Sequence, residues 1–264
     1  MKGICARKGL RPIAAAAKQR YFLHLGQAPR EQPRRRQQAA RADDCAGQRG
    51  RYNTSVAITG VGDAVRAVIE AAQPNLEYLE FDRIRAGAVS DERAWHTEYR
   101  EPRDITGLGV ERNVLRYRPA SVTIRLAEGE SLAQLVRVVA AATRAGAPIS
   151  ISSATPLPTG LIALFGGQYS ATTVDSVIVE SDLRWNARVR AGELATTRIR
   201  LIGSDEVRFA LASALDGNPE VAIYAGPVTT SGRLELLPFL REQSISITAH
   251  RLGNPDLGVA TIVL

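Results

Sequence analysis

The sequence predicts an α/β fold: a mostly parallel sheet with helices on both faces. Three observations lead there. From about residue 52 onward, short β-branched runs alternate with helical stretches. Several of those runs are continuously apolar, as strands covered on both sides tend to be. The helical stretches also carry their own start and stop signals.

The elements follow in order. A strand is expected at Ser55–Thr59, and then the turn Thr59-Gly60-Val61-Gly62. A helix runs from Asp63 to Ala72, where Val65, Val68 and Ile69 recur at helical spacing. Leu76–Phe81 reads as a second strand, which would complete a βαβ piece. Ser90 to Gly109 is charged and turn-rich and reads as a connector to a main unit starting near Arg112. That unit opens with a strand at Ser121–Leu126. Ser131 then caps a helix from Leu132 to Arg144, in which Leu132, Leu135, Val136 and Val139 form one stripe, and Gly146 stops it. Strands are expected at Ile149–Ser153, Ser176–Glu180 and Arg198–Ile202. Ser204 caps the next helix, Asp205 to Leu215; Asp205 and Glu206 suit its positive end and Gly217 follows its last turn. The last strands are Val221–Tyr224 and Ile245–Thr248. Between them Arg233 to Glu242 reads as a helix broken at Pro238.

Charge divides the chain. Of its 264 residues, the first 51 hold 13 Lys or Arg against 3 Asp or Glu, a balance of +10, and the remainder holds 21 against 24. Arg34-Arg35-Arg36 sits there among Gln, Pro and Ala, a composition too poor in apolar surface to offset the entropy of ordering. Residues 1–51 are therefore expected to be a flexible basic arm. The arm is also the one place where nucleic acid would be bound, through phosphate neutralisation, but no aromatic platform accompanies it. The expected division is 1–51 as arm, 52–110 as βαβ piece and connector, and 111–264 as a Rossmann-like domain.

Several classes are disfavoured. No apolar run approaches the ~20 residues that a membrane-spanning helix needs, and Ala14–Ala17 is too brief for a secretory signal. The two cysteines, Cys5 and Cys45, have no framework spacing, which points to a reducing cytoplasm. His24, His96 and His250 are scattered, with no metal-ligand spacing. His250 closes a β-branched strand, where a functional side chain and a hydrogen-bonded structural one are both reasonable.

Thr59-Gly60-Val61-Gly62 follows a strand-like run and opens a helix, and Glu80 and Asp82 come about twenty residues later. That outlines a dinucleotide site, with Gly60 and Gly62 approaching a pyrophosphate and Asp82 binding a ribose. Val65 stands in place of the third glycine, and Asp63 puts a negative charge where phosphate would sit. A plain strand-turn-helix explains the same residues.

A resemblance supplies more. Glu111-Arg112-Asn113-Val114-Leu115-Arg116-Tyr117-Arg118-Pro119, preceded by Arg103 to Val110, leads into a strand. Ala222-Ile223-Tyr224-Ala225-Gly226-Pro227-Val228 comes much later. Leu236-Leu237-Pro238-Phe239-Leu240-Arg241-Glu242-Gln243 then runs into Ser244-Ile245-Ser246-Ile247-Thr248-Ala249-His250-Arg251. These segments resemble the C-terminal region of proline utilization A, the bacterial bifunctional enzyme family of proline catabolism. The resemblance spans roughly Ile84 to Asn254 and is most specific in Glu111–Pro119 and Leu236–Arg251.

The resemblance implies an aldehyde dehydrogenase-like Rossmann fold without catalytic residues. In the complete family member, a flavin module oxidises proline, and an NAD-dependent module with a catalytic cysteine oxidises L-glutamate γ-semialdehyde to glutamate. The region resembled here is thought to cover the intermediate's tunnel and complete the dehydrogenase module. Both catalytic modules are missing from this chain, which implies a truncated or separately encoded piece. It also implies no catalytic residue and no NAD or FAD bound by this chain alone. The partner would be a dehydrogenase module of the same pathway, or a second copy. Docking residues expected on this basis are Phe239, Arg241, Ser246, His250, Arg251 and Asn254. The Gly166-Gly167-Gln168-Tyr169-Ser170 segment is consistent with this. Aldehyde dehydrogenases carry their nucleophile in a segment resembling Gly-Gln-x-Cys, and here Tyr169 stands where the sulfur would be. A phenol with a pKa near ~10 is a poor nucleophile at neutral pH, and the segment reads as a glycine turn.

Overall fold

A computed structural model describes residues 60–107, 111–166, 172–194, 196–248, 250–251, 254–255, 258 and 262. The chain divides into Met1–Tyr52 and Asn53–Leu264, and everything described belongs to the second unit. The expected strand Ser55–Thr59, the basic arm and the Gly167–Ser170 stretch lie outside the described residues.

Helices α1 (Asp63–Ala72) and α2 (Tyr78–Ala94) come first, and a π-turn at Trp95–Tyr99 extends α2. The short strand β1 (Arg103–Asp104) and the long β2 (Glu111–Pro119) follow. A wound α/β unit then begins: β3 (Val122–Leu126), α3 (Leu132–Ala145), β4 (Ile149–Ser153), α4 (Thr159–Gly166) and β5 (Val174–Val179). It continues through α5 (Asp182–Arg190), β6 (Arg198–Ile202), α6 (Asp205–Ala214) and β7 (Ala222–Tyr224). The chain leaves this unit by α7 (Gly232–Glu235), a 3-10 turn and β8 (Leu240–Thr248), and β9 (His250–Arg251) pairs with β10 (Asn254–Pro255).

Five strands form one parallel sheet in the order β5-β4-β3-β6-β7. The chain enters at the centre, winds outward through β4 and β5, then crosses back to β6 and β7. This is the doubly wound, Rossmann-like order, and its reversal falls between β3 and β6.

Side-chain alternation explains why both faces are covered. Val122, Ile124 and Leu126 of β3 belong to the core that holds α1, α3 and α4. Ile199 and Leu201 of β6 point the other way, into a second core with Trp185 of α5 and Leu211 of α6. The caps work as read. The Ser131 hydroxyl accepts from Ala133 N at 3.0 Å, and Gly146 closes α3 with φ +67°. Ser204 accepts from Val207 N at the start of α6.

Three expectations need correction. Leu76–Phe81 is not a strand: after Leu76 the chain enters α2, whose start is fixed by a reciprocal box in which Glu77 N donates to the Glu80 carboxylate at 3.2 Å. The apolar spacing there is helical, with Ile84 and Ala88 buried and Tyr78 and Leu79 exposed. Among the described residues, the βαβ piece is therefore a pair of helices. The Ser90–Gly109 connector is partly regular, because residues 90–94 finish α2 and 95–99 form the π-turn. Finally, Pro238 does break the helix predicted for Arg233–Glu242, but Leu240 to Glu242 already belong to β8.

Buried charge ties α2 to the wound unit. Asp91 and Arg137 form a two-pronged pair, both bonds 2.7 Å, with both side chains almost fully buried. Beside it Arg200 donates twice to Glu235, at 2.9 and 2.7 Å. Glycine permits the close approach. A Cβ on Gly87 would strike the Arg137 guanidinium, and one on Gly232 would strike the backbone of Ser90.

Candidate functional site

The feature that the hydrophobic core does not require is a ribbon. Strands β2 and β8, far apart in sequence, pair antiparallel from Glu111 opposite Thr248 to Pro119 opposite Leu240. β1 adds to the other edge of β2, so β8 is an edge strand of this three-stranded sheet. The ribbon is anchored at its root. Leu240 is buried, Phe239 is wholly so, and Ala120 N donates to Phe239 O at 2.9 Å. The Arg198 guanidinium also donates to the carbonyls of Pro238 and Leu240. Away from the root, β8 is mostly exposed.

Because paired residues share a face, the register sorts the ribbon's side chains. One face carries Glu111, Asn113, Leu115 and Tyr117 opposite Thr248, Ser246, Ser244 and Glu242. Here the Ser246 hydroxyl donates to Asn113 Oδ1 at 2.6 Å and Tyr117 OH donates to Glu242 at 3.2 Å. The other face carries Arg112, Val114, Arg116 and Arg118 opposite Ile247, Ile245, Gln243 and Arg241. Arg116 Nε donates to Gln243 at 2.7 Å.

A crevice of about 420 Å³ opens beside the ribbon, between the π-turn, β2 and α7. Tyr99 and Tyr117 meet there edge to face, ring centres 4.8 Å apart. Tyr99 OH donates to Arg233 O at 2.7 Å, and burial, followed by the Glu98 charge, pushes its phenol up to about 12. Leu234 and Leu237 stand exposed on the rim.

The expected docking residues do not all reach this surface. Phe239 is a core residue with no exposed surface, so it supports the ribbon rather than meeting a partner. Arg241 and Ser246 are exposed, on opposite faces of the ribbon. His250 and Arg251 pair through their backbones with Pro255 and Asn254 just beyond the ribbon.

The residues of the dinucleotide outline do not assemble as expected. Gly60 turns with φ +91° and Gly62 caps α1, but Asp82 lies within α2, near Arg85, not at the end of a strand. The place where a doubly wound fold holds a dinucleotide is the crevice at the β3/β6 reversal. There the turn after β3 carries Glu128 and Glu130 at the approach to α3, charges that repel phosphate. The basic group beneath that turn is committed inward. Arg125 is fully buried and donates to Ser152 Oγ at 2.8 Å, Glu180 O at 3.0 Å and Asp182 Oδ1 at 2.5 Å. Burial opposes ionisation of Glu180, but hydrogen bonds from Arg188 and Ser152, with the Arg188 and Arg125 charges, hold its carboxyl below the ordinary value.

Among the described residues none is a cysteine, and no group of three His, Cys, Asp or Glu could hold a metal ion. His96 sits on the surface, bonded to Glu92 at 2.8 Å. No helix among the described residues is long and apolar enough to cross a membrane.

No protein-family model matches the chain, and no curated protein is significantly similar to it. Solved structures are. Proline utilization A from Corynebacterium freiburgense is 30% identical over 69% of this chain and 15% of its own, with a TM-score of 0.40. A mutant proline utilization A from Bradyrhizobium japonicum is 16% identical over 65% of this chain and 20% of its own, with a TM-score of 0.48. Succinic semialdehyde dehydrogenase from Streptococcus pyogenes, solved with NADP+, is 11% identical over 62% of this chain and 40% of its own, with a TM-score of 0.45. The chain thus spans only 15 to 20% of the length of these two proline utilization A chains.

Proposed function

We propose that the chain is the non-catalytic, aldehyde dehydrogenase-like C-terminal domain of an L-glutamate γ-semialdehyde dehydrogenase of proline catabolism. It docks through the β2/β8 ribbon on the module that carries the catalytic thiolate. One observation carries this reading. The two segments whose sequences most specifically resemble proline utilization A, Glu111–Pro119 and Leu236–Arg251, meet in one ribbon, in which Leu240–Thr248 of the second pairs along the whole of the first. Most of β8, and Arg118 and Pro119 at the root end of β2, are exposed, where packing alone asks for little. A nearest-neighbour contact surface outside the core is where a docking role would leave its mark.

The chemistry agrees. Oxidation of an aldehyde by this route needs a thiolate to capture the carbonyl carbon, and no cysteine follows Cys45. On this reading the thiolate is the partner's, because the unit from Asn53 onward holds no sulfur nucleophile. The contribution of this chain is cover: a rigid sheet and ribbon closed over the aldehyde's path exclude water and limit escape of the intermediate.

The test is direct. The full chain is mixed with a proline utilization A lacking its C-terminal region, and association is followed by sedimentation while loss of semialdehyde to solvent is followed by trapping. A complex with reduced leakage is expected. No complex at micromolar concentrations overturns the reading. The alternative, a free-standing NAD(P)-binding oxidoreductase using Gly60 and Gly62, has the left-handed turn at Gly60 in its favour. It has against it the placement of Asp82 and the acids at the sheet's reversal.

A further inference from the structure

The ribbon's second face is electrostatically one-sided. Four of its eight paired positions, from Arg112 opposite Ile247 to Arg118 opposite Arg241, are arginines, and none is acidic. Arg118 and Arg241 face each other directly across the strands and both are exposed. Like charges placed opposite one another destabilise a sheet, and among the described residues neither has a carboxylate partner. Acids are not scarce nearby: Glu111 and Glu242 belong to the same two strands, but alternation puts them on the other face. The fold therefore keeps a repulsive pair that a single register of acids would have relieved.

We propose that this face, Arg118 and Arg241 above all, receives an acidic protein segment. The inference rests on the docking reading of the same ribbon and adds the chemistry of its partner. Charge complementarity selects carboxylates. Residues two apart on a strand are about 7 Å apart along it, so Arg116 and Arg118 match alternate acids of an extended partner segment. The apolar part of the face selects protein over nucleic acid. Its uncharged members are Gln243 and the aliphatic Val114, Ile245 and Ile247, of which Val114 is buried and the two isoleucines are half-buried, and the aromatic Tyr117 lies on the opposite face. Single-stranded nucleic acid requires stacking platforms that this face lacks.

The test uses the full chain and a fluorescent heptapeptide of alternating glutamate and valine, with anisotropy read at low and moderate salt. Arg118→Gln with Arg241→Gln is expected to weaken binding at least fivefold and to flatten its salt dependence. Arg34→Gln with Arg35→Gln, in the basic arm, serves as the control for non-specific attraction and is expected to change binding less. Thermal melts of both variants establish that they are folded. An unchanged affinity in the ribbon variant, or no binding by the unmodified chain, overturns the proposal. So does an equal or larger loss of binding to a single-stranded oligothymidine, which would make nucleic acid the partner. The peptide decides this inference and the truncated enzyme decides the docking reading, so one can fail while the other stands.

Discussion

Removing the carboxylate of Asp91 is expected to be among the most damaging single changes outside the apolar core. Asp91 is wholly buried and Arg137 is 3% exposed. They are joined by two bonds of 2.7 Å, and Arg137 Nε also donates to Thr229 O. Asp91→Ala leaves a guanidinium in the interior with one carbonyl for company, which costs about 3–5 kcal/mol. For a unit of this size about 2–4 °C of melting temperature accompanies each kcal/mol, so the midpoint is expected to fall by roughly 6–20 °C. Asp91→Leu combined with Arg137→Met removes both charges and is expected to recover most of that loss.

Titration of Asp91 gives a second readout. Burial, opposed by Arg137, raises its pKa from 3.8 to about 6. Because the folded value lies above the unfolded one, the folded state binds the proton more tightly. This group's contribution to stability is therefore present near pH 4 and declines as pH rises towards about 6. Urea midpoints from pH 4 to 7 are the assay, with Asp91→Asn as the reference that lacks the titration. A loss under 1 kcal/mol in Asp91→Ala, or parallel pH profiles for wild type and Asp91→Asn, would refute the reasoning.

Other outcomes follow from local geometry. Gly232→Ala is expected to destabilise by about 1–3 kcal/mol, because its Cβ would meet the Ser90 backbone; chemical denaturation measures it. Ser131→Ala removes the α3 cap, along with the hydroxyl's bond to Glu80, and is expected to cost about 1 kcal/mol in the same assay, with Ser131→Thr largely neutral because its hydroxyl both accepts and donates. Calorimetry of the full chain with NAD is expected to show no micromolar binding; a tight complex abolished by Gly62→Trp would favour the dinucleotide reading instead.

The wound unit was legible in the sequence because its signals are local. β4, Ile149-Ser150-Ile151-Ser152-Ser153, and β6, Arg198-Ile199-Arg200-Leu201-Ile202, are short β-branched segments that largely alternate polar and apolar residues between turns, and α1 and α3 combine periodicity with a start or stop signal. The misses have physical reasons. In α2 only a narrow set of small residues faces the core, while Tyr78 and Leu79 are exposed, so its start imitates a strand. α5 shows only Trp185 and Val189 on its buried face amid charged residues, and α4 is too short for a clear period. The ribbon depends on partners more than a hundred residues apart, and no periodicity reveals such pairing. Resemblance singled out its two segments without showing that they touch. It also marked Phe239 as a contact residue, where burial makes it the ribbon's anchor.

The most direct measurement of the central claim is sedimentation of the full chain with a proline utilization A truncated before its C-terminal region, repeated with a ribbon variant. A one-to-one complex that Arg118→Glu with Arg241→Glu weakens, while the melting temperature holds, is the outcome expected of a docking domain. A chain that never associates, or that oxidises L-glutamate γ-semialdehyde unaided, would contradict it.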